Sequence, residues 1–206
     1  MVNEVTLYNK ALNLSWFTII YNVIEGLVST VIGAEDETLT LFGFGIDSFI
    51  EVMSGIGILV MILRIRRNPL SPKQRFEISA LKITGYAFFI LSAGLLLGII
   101  FNIITRHKPE TTFWGIIISA VSIAVMVWLM VAKRKVGKKL GSEPIICDSN
   151  CTKMCVYMSV ILLISSIIYE TTGFGYIDSI GAAGLIWISI LEGKEALEKA
   201  SARIPL

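Results

Sequence analysis

Two acids, Asp47 and Glu51, stand four residues apart in the stretch LFGFGIDSFIEV. In a helix that spacing puts both carboxylates on one face, where their like charges repel. A cation held between them relieves the repulsion, and carboxylate oxygens are good ligands for divalent metals. A protonated, hydrogen-bonded pair that only joins helices is the plainer alternative. A second group lies in IICDSNCTKMC, where Cys147, Cys151 and Cys155 recur every four residues and Asp148 stands three before Cys151. All four share one helical face. Thiolates bind zinc, cadmium, copper(I) and similar soft ions, so Cys151 and Cys155 with two carboxylates from another helix make a four-coordinate shell. Cysteine is also a small buried hydrophobe, and that competing role weighs most at Cys147. Asp148 reads as a ligand or as a gate carboxylate. Glu25, in YNVIEGLVS, is either a proton or metal relay or the partner of a hydroxyl across a helix bundle.

These side chains need helices to hold them, and the composition says in what solvent. Of the 206 residues 54% are hydrophobic, and the mean hydropathy of +0.74 is well above that of a water-soluble domain. Charged residues make up 17% and fall mostly in short clusters between long apolar stretches. A bilayer core of about 30 Å takes about 20 residues of helix. Six spans follow, at about 11–33, 40–65, 78–104, 112–132, 145–169 and 176–192. The first lacks a small-residue cleavage site and is retained. Length decides the fifth: its unbroken apolar run, Val156 to Tyr169, is 14 residues. The helix must therefore begin near Ile145 and draw the cysteines into the membrane. Acids at that depth are unfavourable unless they face the protein interior or water, which marks Asp47 and Glu51, near the midplane of the second span, as functional candidates.

Lysines and arginines in short loops stay on the cytoplasmic side. The second loop holds Arg64, Arg66, Arg67, Lys73 and Arg75, and the fourth holds Lys133, Arg134, Lys135, Lys138 and Lys139. The third has only Arg106 and Lys108, and the first and fifth have none. Both termini are therefore expected in the cytoplasm, where Lys194, Lys199 and Arg203 of the tail add to the same side. Beyond Gly193 there are 13 residues, too few for a folded soluble domain, so a single transmembrane domain over 1–206 is expected. The net charge of +2 is too mild for a nucleic-acid partner. No Ser/His, paired-Asp protease or H-E-x-x-H constellation points to an enzyme. Gly43 and Gly45 lie inside a span with no preceding strand, so they suit close helix packing rather than a nucleotide loop. Gly94 and Gly98 have the same small-xxx-small use. Asp178 suits a helix N-terminus, Glu170 and Glu192 snorkel at span ends, and the lone His107 is a loop residue.

Six spans with both ends inside, IDSFIEV on the second, and a D-x-x-C-x-x-x-C face followed by GYIDSIGA on the fifth and sixth resemble the cation diffusion facilitator family. The resemblance covers nearly the whole chain. In that family the second span has two acids, or a His and an Asp, four apart. The fifth has a His and an Asp four apart, with another Asp three residues before the His. Asp47 and Glu51 match the first pair and Asp148 matches the preceding Asp, while Cys151 and Cys155 stand where His and Asp would be. The resemblance implies an all-α, six-helix membrane bundle of the compact, membrane-only branch. It also implies a homodimer that exports a divalent or soft metal ion in exchange for protons, with no cofactor besides the transported ion. Zinc, cadmium, cobalt, iron and manganese are not distinguished, because the two cysteines replace the usual ligands. A non-transporting membrane metal sensor or assembly scaffold, using the cysteine face for docking or redox chemistry, is the alternative.

Overall fold

The computed structural model of the chain describes residues 2–35, 39–67, 73–105, 113–172 and 177–202. They form six α-helices: α1 (Val2–Glu35), α2 (Leu39–Arg67), α3 (Lys73–Thr105), α4 (Phe113–Leu140), α5 (Glu143–Thr172) and α6 (Ile177–Ser201). The expected span ends Thr112 and Tyr176, the loop residues Arg106, His107 and Lys108, and Arg203 of the tail lie outside the described residues. So do the side chains of Lys73, Arg75 and Asp178 and the packing at Gly43. Among the described residues, five helical stretches are long and apolar enough to cross a membrane: Glu4–Gly33, Asp47–Arg67, Phe76–Phe101, Phe113–Leu140 and Glu143–Thr172. α6 is not among the five.

Helix is the only open-chain way to satisfy backbone N–H and C=O groups in hydrocarbon, and the inner hydroxyls follow the same rule by bonding back within their own helix. Ser15 donates to the Ala11 carbonyl at 3.0 Å, Thr18 to Leu14 at 2.9 Å and Ser159 to Cys155 at 2.8 Å. Large apolar side chains such as Ile24, Leu97, Trp128 and Trp187 face outward, as a lipid-facing surface requires. The helices run beyond the expected spans, because hydropathy marks only the apolar part whereas Lys, Arg, Glu and Ala continue a helix readily and keep their charged heads wet. This corrects the expected fourth loop. Residues 133–140 are the last turns of α4, and the first of them, Lys133, is 1% exposed.

A two-residue turn joins α4 to α5. Gly141 adopts a left-handed conformation at φ 60°, its N–H donates to the Lys138 carbonyl at 3.3 Å, and the Ser142 N–H donates to Gly137 at 3.0 Å. This is the Schellman arrangement that ends a helix, and glycine takes its positive φ without a Cβ penalty. The tight turn makes α4 and α5 an antiparallel hairpin in which Lys133 stands about as far before the turn as Asp148 stands after it. At the same end, Lys199 of α6 pairs with Glu143 at 2.9 Å and Glu195 at 2.8 Å. Burial alone would lower the Lys199 ammonium, but hydrogen bonds to these carboxylates hold it above its ordinary value.

α2 and α5 are the inner helices: 61% and 50% of their apolar stretches are buried, against 28–33% for the other three candidate spans. α2 packs on α1, α3 and α5, and α5 packs on α4, α6, α2 and α3. The α1/α2 contact is made by backbone. A Cβ on Gly45 would lie 2.7 Å from the Thr30 nitrogen and 2.9 Å from the Gly26 carbonyl oxygen, and a Cβ on Gly26 would lie 3.0 Å from the Gly45 oxygen. The close-packing expectation holds for Gly45. Gly94 and Gly98, by contrast, meet nothing within 4 Å. In Gly45→Ala the new methyl meets the Thr30 hydroxyl and, behind it, two backbone atoms that cannot turn aside, so it is expected to cost about 1–3 kcal/mol as overpacking does elsewhere, read as a lower thermal unfolding midpoint of the purified protein.

Candidate functional site

Positions 47, 51 and 54 of α2 and 148, 152 and 155 of α5 lie on the facing sides of the two inner helices. All six side chains are at most 3% exposed. The pairing brings the two sequence groups together: the Cys155 thiol donates to Asp47 Oδ2 at 3.5 Å, and the Thr152 hydroxyl donates to Glu51 Oε1. Ser54 donates to Asp148 Oδ1 at 2.7 Å. Its single hydrogen being used, the 3.1 Å contact between Ser54 and Thr84 of α3 has Thr84 as donor.

The centre of the network comes from a third helix. The Lys133 ammonium lies 2.9 Å from Asp148 Oδ2 and 3.5 Å from Glu51 Oε1, and it donates to Thr152 Oγ1 at 2.8 Å. A buried ammonium is strongly unfavourable unless it is paired and hydrogen-bonded, and here two carboxylates and a hydroxyl meet it. Asp47, Glu51 and Asp148 set against Lys133 leave an imbalance of two negative charges when all four are ionised. Glu51 Oε2 is buried with no hydrogen-bond partner among the described residues.

The other expected residues fall around this network. Glu25 of α1 is 7% exposed and accepts from Tyr21 at 2.9 Å and from Ser48 of α2 at 3.1 Å, so it meets a hydroxyl across the bundle, one of the two roles expected of it. Cys151 packs with Ile50, Ala87, Phe88 and Met154. Cys147 packs with Leu81, Ala196 and Ala200, apart from the polar centre. All three cysteines are free thiols. Among the described residues no three His, Cys, Asp or Glu side chains are arranged as a metal-holding group; Lys133 instead bridges Glu51 and Asp148. Glu192 is tied to α5, accepting from Asn150 at 2.7 Å and pairing with Lys153 at 3.1 Å.

Lys133, Thr152, Ser54 and Thr84 were not expected here. For Lys133 a signal was present: Gly115, Ser119, Ser122, Met126, Leu129 and Lys133 recur at three- and four-residue steps and are all buried. The small and hydroxyl residues mark the inward face, and Lys133 continues it.

Apolar clusters flank the network on both sides. Ile58, Met61 and Ile62 of α2 pack with Ile145 of α5 on one, and Leu41 and Phe44 of α2 pack with Leu162 on the other. Charges enclosed in this way interact more strongly than in water.

The cation efflux transmembrane domain matches residues 15–203. An uncharacterised transporter of Methanocaldococcus jannaschii is 26% identical over 190 residues, an alignment covering 88% of this chain and 64% of that protein. The chain thus spans less than two thirds of that relative's length. A domain match over nearly all of the sequence, on a bundle with five candidate spans, makes the chain an integral multi-pass membrane protein that belongs to the cation efflux family, the cation diffusion facilitators its motifs resemble.

Proposed function

We propose that the chain carries a metal cation across the membrane through the site between α2 and α5, in exchange for protons. The observation that carries this reading is the set of three buried acids with one buried ammonium, enclosed between two apolar clusters. With both cysteines as thiols, its deficit of two charges equals one divalent cation or two protons, so the same site is balanced with either. Asp47, Glu51, Cys151 and Cys155 hold the ion, with Asp148 beside them, and a metal arriving at carboxylates or thiols releases the protons they bore. Glu25, one hydrogen bond from the neighbour of Asp47, relays protons or ions. All six helices cross the bilayer with both termini in the cytoplasm, and the ion leaves on the other side as the apolar clusters open in alternation. A homodimer is the working assembly, as the family resemblance implies.

Purified protein in sealed vesicles loaded with a pH dye tests this, with zinc, cadmium, cobalt, manganese and iron(II) supplied outside in turn. At least one ion is expected to enter while the lumen becomes more alkaline, since protons leave as metal arrives. Entry of none of the five overturns the carrier reading. Entry with no pH change overturns the exchange alone.

A further inference from the structure

We propose that Lys133 is a tethered counter-cation of this site, anchored by Asp148 and competing with the cargo for Glu51. The inference rests on the carrier reading above, and it reassigns Asp148 from ligand of the cargo to anchor of the lysine.

The two acids on either side of the ammonium are occupied differently. Asp148 has both oxygens engaged, Oδ1 by Ser54 at 2.7 Å and Oδ2 by Lys133 at 2.9 Å, and Thr84 supports Ser54 from behind. Glu51 has one oxygen shared between Thr152 and the longer 3.5 Å contact to Lys133. Its other oxygen is fully buried and accepts nothing among the described residues. A buried carboxylate oxygen without a donor is costly and is where an arriving cation gains most. A cation that takes Glu51 removes only the longer contact of Lys133, which keeps Asp148 and its 2.8 Å bond to Thr152. The ammonium is thus held within reach of Glu51 and returns when the cargo leaves. Its charge weakens the affinity of the occupied site and favours release.

Four proteins in lipid nanodiscs decide this by calorimetric titration with cadmium and with zinc: wild type, Lys133→Met, Asp148→Asn and the double variant. Affinity follows the charge the ligands present, so Lys133→Met is expected to bind about tenfold or more tightly than wild type. Asp148→Asn is expected to bind more weakly than wild type, because a lysine released from its anchor competes harder for Glu51. In the double variant the competitor is gone, and binding is expected to be tighter than wild type although an acid has been lost. A double variant that binds no better than Asp148→Asn overturns the proposal, since Asp148 then contributes to the cargo directly and Lys133 is a structural pin. If Lys133→Met alone fails to fold, the comparison between Asp148→Asn and the charge-balanced double variant still decides. A wild type that binds neither ion while folded overturns the carrier reading, and the role of Lys133 with it.

Discussion

Asp47→Asn together with Glu51→Gln is expected to abolish metal flux in sealed vesicles, a fall of about 100-fold or more, since changes even to groups behind metal ligands cost 10–100-fold. The fold should survive. Asparagine keeps an oxygen for the Cys155 thiol, glutamine keeps one for Thr152, and Lys133 retains its 2.9 Å pair with Asp148. The double variant also removes two acids four residues apart in a buried place, which repel whenever both are ionised and otherwise have to hold protons. Its thermal unfolding midpoint is therefore expected at or above that of wild type while transport is lost, the pattern of a site that trades stability for function. Flux is measured with whichever ion the wild type carries. Retained flux would show that the acid pair is only a helix-joining element, and flux lost only in step with a lower midpoint would assign the acids to folding.

The acid pair of α2 and the approach of Asp148 and Cys155 on α5 were legible because both follow helical spacing within apolar sequence, and a bilayer leaves such a sequence one backbone form. The face expected of all three cysteines was not borne out, since Cys147 and Cys151 sit in separate apolar clusters. The early start of α5 was also legible, since 14 apolar residues do not cross a membrane and the helix had to run through the cysteines. What hydropathy hid was Lys133. A lysine at the end of an apolar stretch, followed by Arg134 and Lys135, has the pattern of a cytoplasmic loop, and what separates it from those exposed neighbours is not hydropathy but its place on the inward face that runs from Gly115 to Leu129. Thr152 and Ser54 were hidden for a related reason: a hydroxyl in a membrane helix usually bonds back to its own backbone, as Ser15, Thr18 and Ser92 do. Which hydroxyl crosses to another helix depends on rotation and register. Those are set by contacts such as the Gly26–Gly45 approach and the turn at Gly141, and residue types do not encode them locally.

Cys151→His with Cys155→Asp, which restores the residue types the family resemblance gives for the fifth span, is expected to reverse the order of ions the protein binds. Sulfur ligands favour soft ions such as cadmium, whereas imidazole and carboxylate suit zinc and, on the harder side, manganese. The ratio of cadmium to manganese affinity should fall by about tenfold or more, in the range that ligand-environment changes reach. The two positions are not equivalent. Cys155 already touches Asp47 Oδ2 at 3.5 Å, whereas Cys151 packs among Ile50, Ala87, Phe88 and Met154 and must turn from that cluster to meet an ion. Cys155→Ser alone is therefore expected to cost more cadmium affinity than Cys151→Ser alone. The Asp47 and Glu51 carboxylates are unchanged in all these variants, so affinity for some divalent ion should persist throughout. An unaltered cadmium-to-manganese ratio in the double variant would mean that α5 does not choose the ion. The choice would then rest with the carboxylates of α2, hard oxygen ligands that favour the harder divalent ions.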